Sequence, residues 1–165
     1  MHHRSLLCAL IITLLFAAGC TPPGPNPDQM IAAAKELDQK FLEAFNAQDV
    51  DKVMDLYLNS PDVISFPVGG KLMLKGWDEI KADVIASFAM MKGSTLTVSE
   101  AHYQAAGDVV LTWGLWHLTM PMPDGTTMQM DGRYTDAKKE HNGKWVFIMD
   151  HPSVPLPPPP AAPMQ

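Results

Sequence analysis

Cysteine is almost missing from this chain: of 165 residues only Cys8 and Cys20 carry a thiol, and both fall within the first twenty. The remainder therefore has no internal disulfide, no thiol nucleophile and no cysteine-based metal site. Runs of Lys or Arg are missing too. With a net charge of −6 and a pI near 5.4 the chain has nothing to neutralise a phosphate backbone, which excludes nucleic acid as a partner. Charged residues make up only 18% against 47% hydrophobic ones, so the chain is not unfolded throughout. Long hydrophobic runs are also scarce. The longest, Leu6 to Ala18, has 13 residues, short of the roughly 20 that a spanning helix needs.

What is present begins with a leader. Arg4 and two histidines precede the apolar run, which ends in small residues, the layout of a secretory signal. Leu15-Phe16-Ala17-Ala18-Gly19-Cys20 resembles the lipobox of bacterial lipoproteins, although Ala17 stands where that family prefers Leu. The resemblance implies cleavage before Cys20, acylation of Cys20 and a protein anchored by lipid in the cell envelope. Thr21, not Asp, follows Cys20, so in a Gram-negative cell the address is the outer membrane, facing the periplasm. Eleven of the 15 prolines lie in two flanks, Pro22 to Pro27 and Pro152 to Pro163. The expected organisation is a leader over 1–19, a stiff tether over 20–27, a folded domain over 28–153 and a proline-rich tail over 154–165.

Within the domain, apolar spacing predicts a helix capped by Asp28 and carrying Met30, Ala34, Leu37, Phe41 and Phe45 on one stripe. A short helix capped by Asp49 follows, with Val50, Val53 and Tyr57 as its buried stripe. Asp62 to Pro67 and Lys71 to Lys75 read as short strands around Gly69-Gly70, and a third helix starts at Asp78. Four longer strands then alternate with turns at Gly107-Asp108, Pro123-Asp124-Gly125 and Asn142-Gly143, which makes an antiparallel meander. Helices first and sheet last define an α+β fold, with a curved antiparallel sheet covered on one face by three helices.

The run Phe41-Leu42-Glu43-Ala44-Phe45-Asn46-Ala47-Gln48-Asp49-Val50, then Leu56-Tyr57, Asp62-Val63-Ile64-Ser65-Phe66-Pro67, Gly76, Gly143-Lys144-Trp145 and Asp150-His151-Pro152-Ser153 resembles the SnoaL-like, ketosteroid-isomerase-like branch of the nuclear transport factor 2-like superfamily. The resemblance covers residues 28 to 153 and implies a cone-shaped fold around a deep apolar pocket. It implies no single activity, because the superfamily includes isomerases, dehydratases, cyclases, hydrolases and pure binding or association domains. The steroid isomerase needs a carboxylate base and two donors, a Tyr and a protonated Asp. Here Phe41 falls at the Tyr position, Phe66 at the base position and Thr135 near the Asp position, with Asp136 one residue off. Phenylalanine exchanges no proton, so that mechanism is rejected.

Strand alternation groups Asp131, Arg133 and Thr135 on one face, and Trp145, Phe147, Met149 and His151 on another. If those faces line the cone, Asp131, Arg133 and His151 orient a polar group, or catalyse, beside a wall of Phe41, Tyr57, Phe66, Trp113, His117, Thr135, Phe147 and Met149. Asp150 alternates away from His151 and is left out of the catalytic set. Met120, Met122, Met128 and Met130 flank one turn; beside His117 they read either as a soft Cu(I) site or, more simply, as a flexible rim. No cofactor is called for, and no metal is assigned. The leading expectation is a domain that binds a small, largely apolar molecule. The alternatives are an isomerase, dehydratase or hydrolase using Asp131 or His151, and an association module working as a homodimer.

Overall fold

The computed structural model describes residues 24–156, so the leader, Cys20 and the end of the proline-rich tail lie outside the described residues. The first helix, α1 (Pro27–Asn46), begins two residues earlier than predicted. Asn26, not Asp28, is its cap: Asn26 Oδ1 accepts from the amides of Asp28 and Gln29, and Pro27 takes the first helical position, where no amide is needed. Helix α2 (Val50–Met54) is capped by Asp49 as predicted, but it stops before Tyr57, which enters extended backbone. Helix α3 (Trp77–Met90) starts after Gly76, whose φ of 91° favours glycine and which turns the chain closely past Pro61.

The strands are β1 (Ile64–Ser65), β2 (Leu74–Lys75), β3 (Thr95–Ala106), β4 (Val109–Pro121), β5 (Thr127–His141), β6 (Lys144–Asp150) and β7 (Pro152–Ser153). The sheet runs β2-β1-β6-β5-β4-β3, with β7 added on β5. As expected, β3 to β6 form an antiparallel meander. Asn142 and Gly143 both have positive φ, the requirement of the tight turn between β5 and β6. One pairing was not foreseen: β1 runs parallel to β6, and Tyr57 already bridges Phe147 in the same direction. The segment after α2 therefore meets β6 at Phe147 and again at Met149 and Asp150, which delivers Tyr57 and Ser65 to the same neighbour.

The fold is the expected α+β arrangement, a curved and unclosed sheet with helices across its inner face. Leu37, Ala44, Val53, Met54, Tyr57, Ile80, Phe88 and Phe147 form the core where the helices meet. Side chains tie the layers at defined points. Asn46 accepts from the Leu96 amide at 2.7 Å and donates to its carbonyl at 3.0 Å, as a neighbouring strand would. Gln48 in turn bonds the Met91 carbonyl and the Gly93 amide beyond α3.

Two bulges decide which side chains face inward. On β3 the register slips between Val98 and Glu100, so Leu96 and Val98 point in before it and Tyr103 after it. Between β5 and β6, Ala137 faces Met149 but Lys138 faces Phe147, leaving Ile148 as the extra residue. A strand that bulges changes phase, so Phe147 and Asp150 both reach the inner face although they are an odd number of positions apart.

Candidate functional site

The sheet and helices enclose a cavity of about 640 Å³, within the range typical of small-molecule sites. Phe41 and Phe45 of α1, Val84 and Phe88 of α3, Trp116 and Leu118 of β4 and Phe147 of β6 make its wall. Trp116 lies flat over β5 because Gly132 has no side chain: a Cβ there would sit 2.1 Å from the indole Cζ2. The indole nitrogen donates to the Arg133 carbonyl at 3.1 Å, so this large aromatic is pinned as well as packed. Met120 and Met130 also line the cavity, and Met91 and Met90 lie on the α3 side.

Against this apolar wall stands one polar network. Asp136 on β5 and Asp150 on β6 are the next facing pair after Ala137 and Met149, and both line the cavity. Asp150 Oδ2 accepts from the Tyr57 hydroxyl at 2.9 Å and from Ser65 Oγ at 3.2 Å. Asp136 is only 4% exposed, and its Oδ1 accepts from no N–H or hydroxyl donor. Its nearest cation is Lys138 Nζ, 3.5 Å from Oδ2. Lys138 is fully buried and is held more closely by Asp38 of α1 at 2.6 Å and Thr112 Oγ1 at 2.9 Å. Tyr103 closes the network by donating to Asp38 at 3.0 Å.

Burial and the neighbouring Asp150 charge push the Asp136 carboxyl well above the usual carboxylate range, with Lys138 pulling back. Burial raises Asp150 as well, against the opposing hydrogen bonds of Tyr57, Ser65 and Asp136. Two desolvated carboxyls on facing positions titrate as one unit, and one shared proton relieves their repulsion. The donor inventory says where it sits. Asp150 already receives two O–H donors and is the better anion, while the orphaned Asp136 is the better acid. Tyr57 is raised by burial and then by Asp150, and Tyr103 by burial and then by Asp38, so both remain donors.

Several sequence expectations are corrected by this geometry. Asp131, Arg133 and Thr135 lie on the outer face and are exposed, because the inward set on β5 is Met130, Tyr134, Asp136 and Lys138. Asp131 pairs with His117, their Oδ1 and Nδ1 2.7 Å apart, and not with Arg133. Arg133 Nε instead donates to Ser153 Oγ at 3.3 Å. His151 is exposed beside Phe66, the rings 5.1 Å apart, and neither lines the cavity; Met149 points away too, through the phase change at Ile148. Trp113 is also outside, stacked on His102 at 5.7 Å, whereas Trp116 is inside. Of the wall residues, Phe41, Tyr57 and Phe147 do line the cavity. His117 is on the face opposite Met120 and Met130, so imidazole and thioethers do not converge on one ion.

Sequence reasoning set Asp136 one residue off the expected Asp position, left Asp150 out of the catalytic set, and did not single out Lys138 or Asp38. Part of the signal was available: on β5 the odd positions Asp131, Arg133 and Thr135 are more polar than Met130, Gly132 and Tyr134, and the more polar face of such a strand ordinarily meets water. The pairing of Asp136 with Asp150 had no local signal, since it depends on the bulge.

The pattern of the SnoaL-like domain matches residues 34–157, about three quarters of the chain, and the chain belongs to this family. Solved structures agree at the level of fold. A proposed dehydratase of the NTF2-like family from Streptomyces avermitilis is 17% identical, with a TM-score of 0.73 over 80% of this chain and 100% of that one. A proposed aromatic ring hydroxylase from Novosphingobium aromaticivorans is 18% identical, with a TM-score of 0.69 over 81% and 94%. A proposed calcium/calmodulin dependent protein kinase II association domain from Xanthomonas campestris is 20% identical, with a TM-score of 0.64 over 73% and 84%. No curated protein matches the chain.

Proposed function

We propose that this domain is a lipid-anchored cell-envelope protein that binds a small, largely apolar molecule in the cone. The observation that carries the reading is a cavity of about 640 Å³ whose wall is aromatic and aliphatic, with the Asp136 and Asp150 carboxyls as its polar focus. Apolar burial supplies the affinity, and the carboxyl pair fixes orientation. Thermal-shift measurement against naphthalene- and indane-sized compounds tests it. A ligand at 100 times its Kd stabilises by about 2.7 kcal/mol, which raises the melting temperature by several degrees. Absence of any shift across the panel at millimolar concentration would refute it.

An enzyme is the second reading, favoured by one specific feature, a buried acid beside a carboxylate inside the cavity. In this version Asp150 is the base and Asp136 the acid, replacing Asp131 and His151, which lie outside. The dehydratase among the structural neighbours supports it only as a fold likeness. If turnover of a hydratable or isomerisable ligand is found, Asp150→Asn should abolish it while binding survives; unchanged turnover would end this reading. The expected homodimer rests on the outer sheet face, where Leu111, Trp113 and Leu115 are exposed. Sedimentation at tens of micromolar tests it, and a monomer there removes it.

A further inference from the structure

The cavity has more acid than base, and of its carboxyls Asp136 is the buried one. Three carboxyls, Asp38, Asp136 and Asp150, meet one buried ammonium, that of Lys138. Asp38 and Thr112 take the close contacts of that ammonium, at 2.6 and 2.9 Å, and Asp136 is left at 3.5 Å. The Asp136 side chain is more than nine-tenths buried, lines the cavity and keeps Oδ1 without an N–H or hydroxyl donor, its link to Asp150 being the proton the two share. The same cavity is lined by the rings of Tyr57, Tyr134, Trp116 and Phe147. A carboxyl oxygen without an N–H or hydroxyl donor, in a cavity walled by aromatic rings, is complementary to a cation that carries N–H donors on an apolar body.

We propose that the ligand is a small organic amine bound as its ammonium, with the nitrogen donating to Asp136 and Asp150 and the apolar part filling the aromatic cavity. This rests on the ligand-binding reading above and sharpens it from any apolar molecule to a cationic one. The charged groups on the surrounding elements agree in sign. Asp38 from α1 is satisfied by Lys138 and Tyr103, and Asp83 from α3 adds a further carboxyl to the cavity wall. Tyr57, Tyr103 and Tyr134 stay neutral because burial raises each of them. Among the described residues, Lys35 of α1 is the remaining cation at the wall; it is exposed to water and stands over the Tyr103 ring at 5.3 Å. Burial keeps a proton on the Asp136 and Asp150 pair above the ordinary carboxylate range, and an incoming ammonium displaces that proton to solvent.

That exchange separates an amine from a neutral acceptor by the sign of its pH dependence. A carbonyl or hydroxyl oxygen uses the Asp136 proton as its donor, so its affinity falls as pH rises through the titration of the pair. An ammonium competes with the same proton, so its affinity rises over that interval and falls only where the amine itself deprotonates.

The test is calorimetric titration of the full chain with three probes sharing one body, 1-naphthylmethylamine, 1-naphthylmethanol and 1-naphthaldehyde. It is run from mildly acidic to mildly alkaline pH and in two buffers of different ionisation enthalpy. The expected result is an amine bound about tenfold or more tightly than the alcohol, the scale of one charge-assisted hydrogen bond. Binding should release up to one proton, and the amine-to-alcohol ratio should fall toward one in Asp136→Asn and in Asp150→Asn. Alcohol or aldehyde binding as tight as the amine, or an amine affinity that falls with rising pH, overturns the ammonium assignment and leaves the apolar-ligand reading standing. Failure of all three probes to bind overturns the assignment for this body and counts against the ligand-binding reading as well. The probe ratio and the proton release are read on the unaltered chain, so a poorly folding variant does not blunt the test.

Discussion

Replacing Lys138 by methionine isolates the energetics of the polar network. The Lys138 side chain has no exposure, and its ammonium joins Asp38 of α1 to Thr112 of β4 and Asp136 of β5. Methionine keeps much of the stem's length and fills the same apolar space, so little of the loss comes from a cavity. What remains is electrostatic: Asp38 loses its cation, Asp136 its nearest opposite charge and Thr112 a hydrogen-bond donor. Removing one member of a buried ion pair costs about 3–5 kcal/mol. Asp38 is still 18% exposed and Asp136 already favours its protonated form, which places Lys138→Met at the lower end, about 3 kcal/mol. Guanidinium denaturation at neutral pH is the assay, with the midpoint falling and the slope unchanged. The double variant Lys138→Met/Asp38→Asn should regain at least about 1 kcal/mol, because no unpaired Asp38 charge is left. A loss below about 1 kcal/mol for the single variant, or a double variant no better than the single one, would refute the reasoning.

The remaining predictions concern titration, packing and anchoring. Asp136 and Asp150 are raised in the folded state, so their stabilising contribution is complete below the unfolded carboxylate range. It is lost as pH rises toward the folded values, at up to about 1.4 kcal/mol per pH unit for each proton. Denaturation midpoints across that window should therefore fall with rising pH and flatten in Asp136→Asn; an equally steep fall in the variant counts against the account. Gly132→Ala puts a Cβ 2.1 Å from the Trp116 ring and 2.6 Å from the Ser153 carbonyl oxygen. It should destabilise by about 1–3 kcal/mol and change the tryptophan emission, and an unshifted melting temperature would show that Trp116 is not held there. Cys20→Ser should move the protein from the detergent phase to the aqueous phase or leave an uncleaved precursor, since each buried methylene of an acyl chain contributes about 0.8 kcal/mol. Fatty-acid labelling that never reaches Cys20 in the parent would remove the anchor.

Element identity was legible in the sequence because it depends on local chemistry. The spacing of Met30, Ala34 and Leu37, the cap at Asp49, and the Asn142-Gly143 turn each act within a few residues, and each reappears in the fold. The order of these elements was enough to specify an α+β fold; the cone came from the family resemblance, and of the wall residues expected Phe41, Tyr57 and Phe147 do line the cavity while Phe66 does not. Which face of each strand looks inward was a different matter. It is set by phase, and phase is reset wherever a bulge inserts one residue, as between Phe147 and Met149. Simple alternation carried across that point sends His151 inward and Asp150 outward, the reverse of what the folded sheet does. The parallel seating of Tyr57 and Ser65 beside β6 likewise comes from long-range pairing, which no local pattern encodes. Tertiary structure alone brought Asp38, Asp136, Lys138 and Asp150 together, because their meeting requires helix, bulge and sheet curvature to be in place at once. Their burial then follows from that enclosure, and with it the proton that the two facing carboxyls must share.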